Sequence, residues 1–476
     1  MGYKEENSYG SIIRRISAFG GVQVFNILIG LVRGKLVALF LGPEGMGISS
    51  LFASSTATIQ QFSSLGLNAA AVKEVAAAKD NPGRLRDITR TTLRLFGITA
   101  LIGALACILL SPLWSRMTFG DGSETFSYLW LGIAVALSIG GGGYLAMLQG
   151  LGEVKRLSKA SLVGGCAGLF FGVPLYWLFG IAGIVPAMII LALCTFLFYY
   201  LSYRRSQKGG ETSELPTDRR VSRLVARRLV SLGVVLLVAS AVGTLTQYLI
   251  NIFVREFGSL DDVGLYQAAT SITNQYIGLV FAALAMDYFP RLSAICMERA
   301  KLNEVYNRQT EIVMLVTTPL LTALILTAPL VIRLLLTAEF IAVCPLMRWL
   351  GVGMLVQALN FPLGYIFVAR GDRRVYLWLE CFWTNLLWIV CSVGGFWLYG
   401  LIGLGVSLVV RGAIDFVVTF TLGVRLYGLR LVRSSVLTVA LSVLLCGGCF
   451  SASWIDGVAG YFAVGGFCLV SVLFSG

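Results

Sequence analysis

The chain has 476 residues, 57% of them hydrophobic and 13% charged, with a mean hydropathy of +0.82 and a formal charge of +13. That balance excludes a water-soluble globular fold of this length and makes the bilayer the solvent. With no histidine, Ser/His and Cys/His catalysis and histidine-ligated metal are excluded, and neither a cofactor nor a metal is expected.

The N-terminal stretch MGYKEENSYGSIIRR is polar, then basic, and no small-residue cleavage motif precedes the first apolar run. No signal peptide is expected, and the N-terminus is placed in the cytoplasm. A helix rises 1.5 Å per residue against a hydrocarbon core of roughly 30 Å, so each apolar run of about 20 residues is a candidate span. Such runs fall at 17–41, 46–72, 92–114, 126–150, 158–179 and 181–203 in the first half. The second half has 229–254, 263–286, 309–336, 345–369, 375–398 and 401–424, then 434–454 and 457–475. An all-α polytopic fold of about 14 transmembrane helices, twelve plus two, is predicted.

Threading these spans from a cytoplasmic N-terminus puts 30 of the 37 basic residues in inner segments, from Lys4, Arg14 and Arg15 through Lys73–Arg94, Lys155–Lys159 and Arg204–Arg228 to Arg425–Arg433. Outer loops carry Glu44, Asp121, Glu124, Asp261, Asp262, Glu339 and Asp456 instead. This is the positive-inside pattern, with both termini cytoplasmic, and it accounts for the positive charge without a nucleic-acid partner. Of the ten cysteines, Cys107, Cys166, Cys194, Cys391 and Cys446 lie in apolar runs as small hydrophobes, and the Cys446/Cys449 pair is assigned to packing.

The two halves repeat. Phe40, Gly47, Arg84, Pro112 and Arg116 recur as Phe257, Gly264, Lys301, Pro329 and Arg333, each 217 residues on; Gly132, Gly180 and Tyr144 recur as Gly351, Gly400 and Tyr365 at 219 to 221. A near-constant offset predicts two six-helix lobes, 1–203 and 229–424, joined by a cytoplasmic connector at 204–228, with 425–476 as an additional pair. An even number of spans per lobe gives parallel repeats, whose usual consequence is a central cavity opened alternately to each side.

Three features resemble the multidrug/oligosaccharidyl-lipid/polysaccharide exporter superfamily, and within it the O-antigen and capsule flippases. They are RGKLVALFLGPEGMGISSLF at 33–52; YLAMLQGLGEVKRLSKAS with its counterpart YIFVARGDRRVYLWLE at 365–380; and the two-lobe topology. The resemblance implies an inner-membrane flippase for an undecaprenyl-pyrophosphate-linked oligosaccharide, moved from cytoplasmic to periplasmic leaflet alongside membrane lipid and other surface-glycan assembly proteins. A cation-coupled multidrug antiporter of the same superfamily is the alternative. A glycan polymerase or ligase is the alternative from another class, disfavoured by short outer loops.

Seven basic residues remain outside the cytoplasmic set: Arg33, Lys35, Arg116, Arg255, Arg333, Arg348 and Arg411. A charge near the bilayer centre costs about 2.5–3.5 kcal/mol on insertion scales, so it ordinarily faces a cavity or a partner. Arg33, Lys35 and Arg411 are the expected pyrophosphate ligands, since guanidinium stays protonated and grips phosphate bidentately. Snorkelling is the alternative for Arg33 and Lys35, and for Arg411 an intrahelical pair with Asp415, which otherwise serves ion coupling. Glu380 is a lesser acidic candidate. Gln60, Gln61, Gln247, Asn251, Asn274, Gln275, Gln357 and Asn360 are the expected sugar contacts, with interhelical hydrogen bonding as the alternative. Arg116, Arg255 and Arg333 mark a gate or interface.

Overall fold

Without water in the bilayer core, the backbone must close its hydrogen bonds internally, and this chain does so as helix. The computed structural model describes residues 6–207, 219–455 and 458–475, and among them no strand occurs. The middle of the predicted connector, 208–218, lies outside the described residues, as do the side chains of 1–24, Asp456 and Glu380.

Nine described helices are long and apolar enough to cross a membrane, or up to ten if the bent pair Arg223–Val238 and Ser240–Phe257 counts as one. Fourteen were expected, and two of the difference have a physical source. Val154–Gln207 and Arg374–Tyr427 are continuous runs of 54 residues. Straight, each would be about 80 Å long, more than twice the hydrocarbon core. Both fold at a glycine with left-handed φ, Gly180 (φ 56, ψ −131) and Gly400 (φ 58, ψ −140), which a Cβ would strain. Beyond the first turn, a Cβ on Gly183 would lie 2.2 Å from the Leu175 carbonyl oxygen; beyond the second, one on Gly403 would lie 1.8 Å from that of Gly395. Each long run is a hairpin holding two expected spans.

The chain divides into two compact units, 1–41 with 48–252, and 42–47 with 253–476. Unit 1 contains most of α1 (Glu6–Ser63), then α2 (Leu67–Ala78), α3 (Pro82–Leu109), α4 (Ser111–Phe119), α5 (Thr125–Gly150), α6 (Val154–Phe179), α7 (Ile184–Gln207) and α8 (Arg219–Phe257) as far as Ile252. The expected span 46–72 ends early, at Ser63, because Leu65 (φ 50) and Gly66 (φ 65) turn the chain. There a Cβ on Gly66 would lie 2.2 Å from the Gly233 carbonyl oxygen. The Glu74 carboxylate accepts from Arg228 at 3.0 Å, so the start of α8 is fastened to α2. The expected second lobe began at 229, but these contacts keep 229–252 in unit 1. In α5, Gly140–Gly143 sit in unbroken helix; a Cβ on Gly143 would reach Phe96 at 2.9 Å, so the glycines serve close packing.

Unit 2 holds the rest of α8, then α9 (Leu260–Ile295), α10 (Arg299–Leu335), α11 (Cys344–Arg370), α12 (Arg373–Tyr376), a π-helical segment Leu377–Trp383, α13 (Thr384–Tyr427), α14 (Arg433–Ala452) and α15 (Val458–Ser475). It also captures Gly42–Gly47, where Gly42 (φ 66) breaks α1 ahead of Pro43. A Cβ on Gly47 would lie 2.0 Å from the Leu260 carbonyl oxygen, and one on Gly264 1.9 Å from that of Pro43. The contact is reciprocal and separated by the repeat offset, since 260 − 43 and 264 − 47 both equal 217.

The helix α14 and its successor dock on α10. Thr322 and Ser471 hydroxyls share a hydrogen bond of 2.8 Å, the Cys449 thiol donates to the Thr322 carbonyl at 3.7 Å, and Asn307 Nδ2 donates to the Arg430 carbonyl at 2.8 Å. Cys446 and Cys449 are both free and buried, in keeping with packing. The repeat is visible within each unit: Gly152 (φ 73) and Gly371 (φ 69) turn the chain ahead of α6 and α12, and further on Gly180 turns it after α6 and Gly400 within α13. Gly371 thus corresponds to Gly152, 219 residues earlier.

Candidate substrate and ion site

In α13, Arg411 and Asp415 lie one helical turn apart on one face. They line a cavity of about 390 Å³ inside unit 2, together with Gln357, Asn360, Phe361 and Tyr365 of α11, Thr384 and Phe281. Close packing of α11 on α13 brings these groups together: a Cβ on Gly353 would lie 2.6 Å from Leu408, and one on Gly412 2.9 Å from Val356.

No ion pair within 4.0 Å joins Arg411 to Asp415, which departs from the alternative of a neutralised intrahelical pair. The Arg411 guanidinium lies over the Trp388 ring, 4.9 Å from its centroid, and feels Tyr266 of α9 and Asp415 electrostatically. Thr384 Oγ1 stands 3.4 Å from Asp415 Oδ1 and 3.0 Å from the Leu379 carbonyl of the π-helical segment. Asn360 Nδ2 donates to the Gly412 carbonyl at 2.9 Å, while its Oδ1 is buried with no hydrogen-bond partner among the described residues. Cation, carboxylate, amide and hydroxyl therefore share one cavity.

The other expected residues are dispersed. Arg33 lines a smaller cavity of about 190 Å³ in unit 1, with Asn26, Tyr176 and the glycines 165, 168 and 172 of α6. Lys35, two residues on, is exposed on α1. Gln61 donates to Ser240 Oγ at 2.5 Å and Asn251 to Ser50 Oγ at 3.4 Å, joining α1 to α8 within unit 1, while Gln247 donates along α8 to Asn251 Oδ1 at 3.0 Å. Gln60 is partly buried beside them. On α9, Asn274 is exposed and Gln275 has a buried Oε1 with no hydrogen-bond partner. Arg116 and Arg333 are exposed in the last turns of α4 and α10, where a cation complements the helix dipole. Arg255 pairs with Glu256 at 2.6 Å.

Of the expected residues, Arg411, Asp415, Gln357 and Asn360 line this one cavity, and Thr384, Trp388 and Tyr266 stand beside them without having been expected. An intramembrane charge announces itself by its cost, whereas a tryptophan or threonine in a span carries no such signal until the helices are packed.

The family model described as "Polysaccharide biosynthesis protein" matches residues 36–345. The lipid III flippases of Escherichia coli (strain K12) and Shigella flexneri are each 24% identical over 373 residues, covering 76% of this chain and 86% of theirs. Among solved structures, lipid II flippase MurJ in an inward closed conformation superimposes with a TM-score of 0.72 at 13% identity, covering 96% of this chain and 97% of that one. A multidrug resistance MATE family transporter in an inward-facing conformation gives 0.71 at 17% identity, covering 85% and 94%. The all-helical fold is thus the one those transporters share, and the relatives are flippases and transporters rather than enzymes. The chain belongs to the polysaccharide biosynthesis protein family, within the multidrug/oligosaccharidyl-lipid/polysaccharide exporter superfamily, as a multi-pass membrane protein of the lipid-linked glycan flippase or related transporter kind.

Proposed function

We propose that the protein carries an undecaprenyl-pyrophosphate-linked oligosaccharide, an O-antigen or other surface-glycan repeat unit, from the cytoplasmic to the periplasmic leaflet of the inner membrane. The movement is by alternating access coupled to an ion gradient, with both termini cytoplasmic. The observation that carries the reading is the unit 2 cavity, where Arg411 has no carboxylate within ion-pair distance among the described residues while Asp415 waits one turn away. A diphosphate entering an apolar medium needs fixed positive charge and convergent donors, and Arg411 with Gln357 and Asn360 supplies both. Protonation of Asp415, or cation binding there with Thr384, raises the positive field at Arg411; loss of the ion weakens the hold on phosphate. Arg33 in unit 1 is the second candidate cation. The lipid III flippase relatives support the substrate class, and MATE transporters solved in inward-facing and outward-facing conformations support alternating access.

The test is surface-glycan export in cells lacking the native gene. Arg411→Ala and Asp415→Asn each reduce export at least about tenfold with normal protein abundance, and Arg411→Lys restores part of it. Intact export in both Arg33→Ala and Arg411→Ala sinks the assignment. The aromatic lining of the same cavity, Phe281, Phe361 and Tyr365 around one carboxylate, favours a second reading as a cation-coupled drug antiporter. Drug resistance conferred by the wild-type chain and lost in Asp415→Asn, with glycan export unaffected, would select it.

A further inference from the structure

Arg370 closes α11 at the end of unit 2 that the charge pattern assigns to the cytoplasm. Its guanidinium lies over the Tyr427 ring, Cζ 4.6 Å from the centroid. Two of its nitrogens, Nε and Nη2, are buried without a hydrogen-bond partner. These two atoms form the side-on edge of a guanidinium, whose parallel N–H bonds grip two oxygens of one phosphate or carboxylate. The Tyr427 hydroxyl and the Trp383 indole nitrogen are likewise buried without a partner, and both residues border one packed cluster with Phe367 and Leu379. Every orphan here is a donor, and none of the orphaned atoms of this cluster is an obligatory acceptor. Orphaned buried polar atoms are rare in folded proteins, and a concentration of donors at one place calls for an anion.

The chain does not supply that anion among its described residues. Arg370 forms no ion pair within 4.0 Å. Asp372, beyond the left-handed Gly371, is exposed and within electrostatic reach of Tyr427 rather than seated on the guanidinium edge. The following turns point to a lipid. Trp378 is 72% and Phe382 47% exposed, their rings 5.6 Å apart, as aromatic residues stand at a membrane–water boundary. Basic pockets between helices on the cytoplasmic side suit anionic headgroups.

We propose that the side-on edge of Arg370, with the Tyr427 hydroxyl on the ring it covers, binds the phosphate of a membrane lipid headgroup at the inner end of unit 2. This site is separate from the cavity around Arg411 and does not depend on what that cavity transports. Native mass spectrometry of the full-length protein in detergent tests it, with dioleoyl phosphatidic acid, dioleoylglycerol and inorganic phosphate as probes. Arg370→Ala weakens the tightest phosphatidic acid binding at least tenfold. Arg370→Lys, which keeps the charge but loses the fork, falls at least threefold, and Tyr427→Phe falls two- to fivefold. Dioleoylglycerol binds no tighter to wild type than to the Arg370 variants. Unchanged lipid binding in Arg370→Ala overturns the proposal, as does inorganic phosphate displacing the lipid at equal concentration, which would mark a free-anion site. If the alanine variant does not elute as a single folded species, the lysine and phenylalanine variants decide.

Discussion

Arg411 illustrates how a residue forbidden by solvent becomes tolerable through its neighbours. Its charge is spread over the Trp388 face, an interaction of about 0.5–2 kcal/mol depending on desolvation. Removing that face leaves the cation to solvate itself inside the unit 2 cavity and misplaces the guanidinium. Trp388→Leu is therefore expected to lower glycan export severalfold while protein abundance stays within about twofold, read by surface-glycan staining against immunoblot. Asp415 was legible for the same reason as Arg411: a carboxylate in an apolar run is costly and stands out. The amides were not. Gln247 and Asn251 satisfy each other and Ser50, whereas Asn360 and Gln357 line the cavity, and in sequence both kinds are simply amides in spans. Only the packing partner separates interhelical glue from a ligand group.

At the scale of elements, glycine decides where helices fold back and how closely they approach. The reciprocal contact of Gly47 on Leu260 and Gly264 on Pro43 leaves no room for a methyl group, and the obstacles are backbone atoms that cannot swing aside. Gly47→Ala and Gly264→Ala should each destabilise the protein by about 1–3 kcal/mol, the usual cost of overpacking. The pair should cost less than the sum, because one shift of the segment relieves both clashes. Gly97→Ala, with nothing within 4 Å of the added methyl, is the control expected to be neutral, and thermal unfolding in detergent reads all four proteins. Equal destabilisation by Gly97→Ala would show that helix glycine content, rather than this contact, governs stability. The repeat that relates Gly47 to Gly264 was readable as an offset of 217, and Gly180 matched Gly400 in sequence before their φ values agreed. The π-helical segment Leu377–Trp383 was not readable, since its extra residue per turn leaves the apolar run unchanged and alters only which backbone carbonyls, such as that of Leu379, become available to Thr384.

For the whole molecule, hydrophobic composition alone established a polytopic helical protein, and the charge asymmetry proposed its orientation. The helices and the apolar runs divide the chain differently, because Gly180 turns it through a short 3-10 segment and Gly400 bends α13, so two 54-residue runs each hold two of the expected spans. Orientation and crossing number make one joint prediction, since removing a single crossing inverts every loop downstream. In a cysteine-free background, Asp121→Cys and Ser453→Cys, in loops after α4 and α14, are expected to react with a membrane-impermeant maleimide on intact spheroplasts. Asp80→Cys, Asp372→Cys and Arg430→Cys should react only after permeabilisation. Asp80 and Asp121 are separated by α3, Asp372 follows α11, and Ser453 follows α14, so the five sites sample both units and the docked final pair. If Asp372→Cys labels from outside while Asp80→Cys does not, an odd number of crossings separates them, and the repeats are inverted rather than parallel. Arg370 would then stand at the periplasmic face, and the parallel two-lobe plan behind the proposed transport cycle would have to be abandoned.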